Sequence, residues 1–258
     1  MNIFKKLGKK IIIYLNWIEI KPIRIFIALK SLYWYKKDLN TFTSKTQWKI
    51  NKYPCLFDRN MEGGTLNEYF FQDIYVAKKI IEFNPVRHID VGSRIDGFIA
   101  HLACVRQVEV LDIRPITAII NGIYFQQADI ENISSSWFDI ADCVSCLHTL
   151  EHFGLGRYGD KINPDGWKDG LVNLVKILKR DGVLWLSVPV GIERVEFNAH
   201  RVFDPRTINN FALELGLSLG EFSYFTNDEI IVSDDHLKDF NVLANTVYAL
   251  GIFKFTKK

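Results

Sequence analysis

The sequence predicts an α/β domain built on a doubly wound, mostly parallel sheet, with a basic helical arm in front of it. Three observations carry that prediction. From residue 86 onward, short apolar runs alternate with helix-periodic segments, the pattern of strand, crossover helix and parallel strand. Near the end two strand-like segments follow one another with only a polar connection between them, which requires an antiparallel pair to close the sheet. The charges also divide. Residues 1–52 hold 12 Lys and Arg against Glu19 and Asp38, a balance of +10, while residues 53–258 carry −8. We therefore expect an arm and linker over 1–60 and one α/β domain over 61–258.

Composition sets the outer limits. At 258 residues, 48% hydrophobic and 24% charged, the chain has enough apolar side chains for a real core and none of the bias of a disordered, collagenous or disulfide-stapled protein. A net charge of +2 argues against a surface that coats nucleic acid, so no nucleic-acid partner is expected. Cys55, Cys104, Cys143 and Cys146 are too few and scattered for a disulfide framework, which favours a reducing compartment and a cytoplasmic location.

The elements follow in order. In the arm, Phe4, Leu7, Ile11, Leu15 and Ile18 recur at helical intervals among Lys5, Lys6, Lys9 and Lys10, and Pro22 opens a second helix carrying Ile25, Phe26, Leu29 and Tyr33. Asn16, Glu19, Lys21 and Arg24 interrupt any signal peptide or spanning helix. Basic amphipathic helices of this kind suit an anionic membrane surface, here through residues 1–40 at the inner face of the membrane; packing on the body or on a second subunit is the alternative. Residues 36–58 read as linker. A helix over 67–83 places Phe70, Ile74, Ala77 and Ile81 on one face and stops before Pro85. Strands are then predicted at 86–91, 107–113, 123–127, 140–147, 183–189, 217–226 and 246–256. Helices are predicted between them at 97–105, 115–120, 167–179 and 205–215.

In such a sheet ligands bind beyond the carboxyl ends of the strands, near the point where strand order reverses. The first strand runs into DVGSRIDGF, where Asp90, Gly92, Ser93, Arg94 and Gly97 make a turn that lets backbone approach a polar or anionic group. The second strand ends in Asp112 and Ile113, and Asp112 lies 20 residues past Gly92, the offset at which a carboxylate accepts ribose hydroxyls in dinucleotide folds. After the third strand, Asp129 is placed to accept from an exocyclic adenine amine while Ile130 packs on the ring. After the fourth, His148, Glu151 and His152 reach the mouth of the same cleft. The Cys143-Val144-Ser145-Cys146 run does not predict zinc, because it lies in a strand, where residues three apart face opposite sides.

Taken together, the acidic glycine turn, the acidic second strand, Ala-Asp-Ile after the third, Leu-Glu-His after the fourth, LKRDGVLWLSVPVG and HRVFDPRTINNFALELGL resemble the class I S-adenosylmethionine-dependent methyltransferases over about 69–255. The sequence is most similar to an uncharacterised bacterial family, a domain of unknown function carrying DVGSRIDGF and NAHRVFDP and often associated with cell-surface polysaccharide synthesis. The resemblance implies a Rossmann-like seven-stranded sheet with a C-terminal antiparallel hairpin, and S-adenosylmethionine in the cleft. Asp90 and Gly92 would line the methionine end, Asp112 the ribose, and Asp129 with Ile130 the adenine. Ser93, Arg94 and Ile95 stand where the family turn is usually richer in glycine, so Arg94 would either crowd the cofactor or hold its carboxylate.

Methyl transfer is an in-line displacement that depends chiefly on positioning, and a hydroxyl nucleophile also benefits from an imidazole base. His152 is the favoured base, with His148 and His200 at the cleft edges. Arg157, in the loop leading to the 167–179 helix, and His200 with Arg201 are candidate contacts to a small-molecule or glycan acceptor, such as a sugar acid or phosphate. The alternatives are an inactive methyltransferase-like scaffold at the membrane and a nicotinamide-dinucleotide oxidoreductase. The latter shares Gly92 and Asp112 but lacks the Leu-Glu-His segment and the antiparallel pair.

Overall fold

The computed structural model describes residues 21–61, 63, 64 and 66–258. The helix expected around Phe4 to Ile18 lies outside them. The chain divides into two compact units, residues 1–65 and 66–258.

In the first unit, helix α1 spans Pro22–Thr43, so the helix continues well into the stretch read as linker. Ile25, Phe26, Leu29 and Tyr33 share one 100° face of this helix, as its spacing predicts, and they are exposed, as are Ile23 and Ile27. Arg59 ties back to this helix, pairing with Asp38 at 2.6 Å and lying 4.2 Å from the centre of the Trp34 ring. No helix among the described residues is long and apolar enough to cross a membrane.

The second unit opens with α2 (Glu68–Phe83), capped by the Asn67 side chain on the Phe70 amide and ended by Asn84 in a left-handed conformation. Strand β1 (His88–Val91) leads through a single π turn (Ile95–Ile99) into the short α3 (Ala100–Ala103). Strands β2 (Val108–Asp112), β3 (Ile123–Gln127) and β4 (Ala141–Leu147) follow, then α4 (Gly166–Ile177) and the long β5 (Leu178–Val190). A small hairpin, β6 (Arg194–Glu196) with β7 (His200–Val202), precedes α5 (Pro205–Glu214). Strand β8 (Leu217–Thr226), β9 (Glu229–Val232), α6 (His236–Leu243) and β10 (Ala249–Lys257) complete the chain.

The main sheet has eight strands in the order β3-β2-β1-β4-β5-β10-β8-β9. The first five are parallel; β10 runs antiparallel between β5 and β8, and β9 pairs antiparallel with β8 at the edge. This is the mostly parallel, Rossmann-like sheet with an antiparallel end that the sequence predicts, extended from seven strands to eight by β9. Strand β4 shows why helices cover both faces. Cys143 and Leu147 face the α2 side, whereas Val144 and Cys146 join the cluster formed with α4, α5 and α6.

Three expectations need correction. Residues 115–120 form no helix; the segment is an irregular, mostly exposed connection, too short at six residues to nucleate one without packing. The polar stretch after β8 is not a plain connection, since it holds β9 and α6. The inner face of α2 is Gln72, Asp73, Val76, Ala77 and Ile80, while Phe70 and Ile81 are exposed. Two buried polar side chains therefore belong to the face that apolar spacing alone had placed elsewhere.

Candidate active-site cleft

The chain leaves β1 toward β2 and β3 on one side and returns to β4 on the other, so strand order reverses between β1 and β4. A cleft of about 320 Å³ opens there at the carboxyl ends of the strands.

Its floor is a buried polar chain set by strand register. Asp90 pairs directly across from Ser145, and side chains two apart share a face, so His88, Asp90 and Ser145 meet. Ser145 Oγ donates to Asp90 Oδ2 at 2.5 Å and lies 2.8 Å from His88 Nε2. Asp90 also accepts from the Ser93 amide (3.0 Å) and hydroxyl (2.6 Å), which folds the turn back onto the strand. Burial pushes the Asp90 carboxyl up to about 7 despite those hydrogen bonds, and pushes the His88 imidazole down to about 3. Asp90 thus lies beneath the cleft rather than lining it, and its visible work is to hold the turn. Gly92 does line the cleft, at φ +71°, where a Cβ would stand 2.3 Å from Thr149 Cγ2.

Helix α2 supplies residues that sequence reasoning missed. Gln72 accepts from the Ser187 hydroxyl at 2.5 Å and donates to Asp73 at 3.0 Å, and both line the cleft beside Tyr69. Burial pushes the Asp73 carboxyl above its ordinary value. Gly97 faces this carboxylate rather than the cleft: a Cβ there would lie 2.3 Å from Asp73 Oδ2. Arg94 lines the opening, held by Asp96 at 2.7 Å and lying 5.8 Å from the centre of the Tyr69 ring.

At the end of β2, Asp112 is almost buried and faces the cleft. Its two oxygens are taken by Arg114, from the amide (2.8 Å), Nε (3.0 Å) and Nη2 (2.6 Å). Arg114 in turn lies 4.6 Å from the centre of the Tyr158 ring. Neither Arg114 nor Tyr158 was singled out in the sequence, although an Arg two residues past a strand-end Asp is itself a signal for a bidentate pair. Ile113, Ala128 and Ile130 give this end an apolar wall. Asp129 borders it while capping the next turn through the Glu131 amide (3.0 Å) and the Asn132 side chain (2.8 Å).

The opposite end carries the imidazoles. His148 sits at φ +51°, a left-handed conformation unusual for a non-glycine residue and characteristic of strained functional turns. The Ser187 carbonyl and hydroxyl, both accepting from its amide, hold it there. His148 Nδ1 lies 3.0 Å from Glu151 Oε1 and its ring packs 4.4 Å from the Tyr69 ring. Because a carboxylate only accepts, Nδ1 carries the proton and Nε2 is the free base. That Nε2 is buried without a partner, and so is Glu151 Oε2. Glu151 stands behind the histidines and does not line the cleft. The half-buried phenol of Tyr69 is pushed up to about 12, first by its partial burial and then by the Glu151 charge.

His152 donates from Nδ1 to the Ala199 carbonyl at 2.7 Å, and its Nε2 is 3.7 Å from Glu151 Oε1. Burial lowers its imidazole below the ordinary value, partly opposed by Glu151. Arg157 lines the rim, donating to the same Ala199 carbonyl at 2.9 Å. Two predicted acceptor contacts lie elsewhere. Arg201 is buried and donates to the carbonyls of Glu151 (3.3 Å), Phe153 (2.6 Å) and Pro164 (3.1 Å), so it braces the loop rather than reaching into the cleft. His200 lies outside the cleft lining, against the Tyr248 ring. Among the described residues no group of three or more His, Cys, Asp or Glu could hold a metal ion.

With this geometry in view, comparison with solved structures bears on the fold. The unit is similar to the [4+2]-cyclase SpnF (TM-score 0.51, 10% identity, covering 72% of this chain and 79% of that one). It is also similar to a S-adenosylmethionine-dependent methyltransferase from Clostridium acetobutylicum (TM-score 0.50, 11% identity, 74% and 92%). A third is a SAM-dependent methyltransferase from Thermotoga maritima (TM-score 0.50, 14% identity, 74% and 90%). At these identities the likeness establishes the methyltransferase-type fold. No match was found among curated protein sequences. A family profile described as "Caenorhabditis protein of unknown function, DUF268" matches residues 118–250. That description names Caenorhabditis rather than bacteria, and the 90–98 turn lies outside the matched residues, while 198–205 lies within them. Since the match spans just over half of its length, the chain belongs to this family of unknown function, DUF268.

Proposed function

We propose that the protein is an S-adenosylmethionine-dependent methyltransferase acting on a hydroxyl group of a small molecule. One observation carries this reading: a single switch-point cleft has a nucleoside-type end, built on Asp112 and an apolar wall, opposite a carboxylate-backed imidazole, His148 with Glu151. Two of the structural neighbours bear the methyltransferase name, which supports the class.

The donor set fits the cofactor. Asp112 would take the ribose hydroxyls, Ile113, Ala128 and Ile130 the adenine faces, Asp129 its exocyclic amine, and Gly92 with Ser93 the methionine end. Arg114 must share or release Asp112, which is a small adjustment for a guanidinium that is half exposed. When bound, S-adenosylmethionine supplies an electrophilic methyl group. The chain's own task is to orient the acceptor and take its proton. His148 Nε2 is the atom for this: it is free of hydrogen-bond partners, its residue lines the cleft, and Glu151 Oε1 fixes the tautomer and would stabilise the imidazolium that forms. His148 therefore replaces His152 as the favoured base, and His152 with Arg157 and Tyr158 forms the rim that would contact the acceptor. A sugar hydroxyl, as the sequence resemblance suggested, is the first acceptor class to test.

The test is transfer of labelled methyl from S-adenosylmethionine to a panel of sugars and phenols. The reading predicts transfer by the wild type and loss of about 10²–10⁴ in rate for His148→Gln with cofactor affinity retained. A protein that binds the cofactor but labels no acceptor, or a His148→Gln variant with unchanged rate, would reject it.

A further inference from the structure

The first unit is not used by the proposed chemistry. Two features of α1 bear on what it contacts. Ile23, Ile25, Phe26, Ile27 and Leu29 are exposed at between 40% and 65%, and at 100° per residue they fall within about 200° of the helix circumference, leaving Arg24 and Ala28 on the opposite side. An exposed apolar face of that breadth, with basic side chains beside it, is the pattern of a helix that lies along a membrane surface. Immediately after this stretch come Tyr33, Trp34, Tyr35, Lys36 and Lys37, the amphipathic and basic side chains favoured where hydrocarbon meets headgroups.

Charge selects the occupant. Lys21, Arg24, Lys30, Lys36 and Lys37 lie in or beside α1, and its single acidic residue, Asp38, is engaged by Arg59. A second copy of this arm would bring two surfaces of the same sign together, while an anionic lipid surface complements them. At 22 residues the helix is long enough to span a bilayer but not apolar enough over that length, so it would lie in the interface and not cross. We propose that α1 is a membrane-surface anchor that inserts Ile23 to Leu29 among the acyl chains of an anionic leaflet and holds its lipid phosphates with the flanking lysines and arginine.

Co-sedimentation of the full-length protein with phosphatidylcholine vesicles, with and without phosphatidylglycerol, tests this. Binding should rise with the phosphatidylglycerol fraction and fall at high salt. Lys36→Glu with Lys37→Glu should weaken it by about tenfold or more. Phe26→Ser with Leu29→Ser, at exposed positions, should abolish it while leaving the melting temperature unchanged. Failure of the wild type to sediment with anionic vesicles, equal binding to both lipids, or unaltered binding by both variants would overturn the proposal. So would light scattering that shows a lipid-free dimer dissociated by the Phe26 and Leu29 substitutions, because the occupant would then be a second copy.

Discussion

Gly92→Ala separates two energies that the turn after β1 combines. Gly92 has φ +71°, so any Cβ pays the left-handed penalty of about 1–2 kcal/mol. The new methyl would also stand 2.3 Å from Thr149 Cγ2 and 3.1 Å from Oγ1, and Thr149 is held by its own hydrogen bond to the Leu147 carbonyl at 3.0 Å. Relieving that overlap adds about 1–3 kcal/mol, the usual range for overpacking. Gly216 provides the internal control: at φ +80° it has nothing within 4 Å of an added Cβ, so Gly216→Ala carries the backbone penalty alone. Urea unfolding should therefore show Gly216→Ala destabilised by about 1–2 kcal/mol and Gly92→Ala by about 2–5 kcal/mol. Equal losses in the two variants would mean that Thr149 does not pack on the turn as described.

Three further predictions follow from buried charge. Asp90 is raised from 3.8 to about 7, so the folded protein is penalised as pH rises through that window, and Asp90→Asn should gain stability relative to wild type between pH 4 and 7.5, by at most on the order of 4 kcal/mol. His88, lowered from 6.5 to about 3, acts in the opposite sense, losing stability as pH falls below 6.5; the variant should therefore show a steeper acid decline in thermal melts than wild type, parallel pH profiles would contradict the Asp90 assignment, and a variant with no loss of stability below pH 6.5 would contradict that of His88. Arg114→Ala should tighten S-adenosylhomocysteine binding about two- to fivefold in calorimetry by freeing Asp112, and weaker binding would show that Arg114 belongs to the ligand site. Arg201→Met strands three carbonyls and should destabilise by about 3 kcal/mol, lowering the melting temperature by about 6–12 °C, whereas a change within 1 °C would refute its role as the loop brace.

What could be read from the sequence was whatever a local pattern encodes. Strand positions followed from apolar runs bounded by Gly, Pro and acidic residues, and the cleft acid Asp112 from its distance to Gly92. The β8–β9 hairpin was also legible: Asn227 and Asp228, at φ +48° and +60°, make the two-residue turn that such polar dipeptides favour, and the stretch passed as a connection only because it is polar. Residues 115–120 misled in the other direction, because Ile116, Ile119 and Ile120 satisfy a helical spacing that no packing partner rewards. The inner face of α2 was hidden for a different reason. Gln72 and Asp73 are buried because Ser187, 115 residues beyond Gln72 in sequence, and the 94–98 turn provide their partners. The same non-locality concealed the brace formed by Arg201. Choosing between His148 and His152 required seeing which imidazole has its proton fixed by a carboxylate and its second nitrogen free.

Thermal unfolding with and without S-adenosylhomocysteine, in wild type and Asp112→Ala, tests the central claim most directly. At 100 times its dissociation constant the ligand adds about 2.7 kcal/mol, which is about 5–10 °C for a unit of this size. The account predicts that shift in wild type and its loss in Asp112→Ala. A folded wild-type protein whose melting temperature does not move at any ligand concentration would contradict the account.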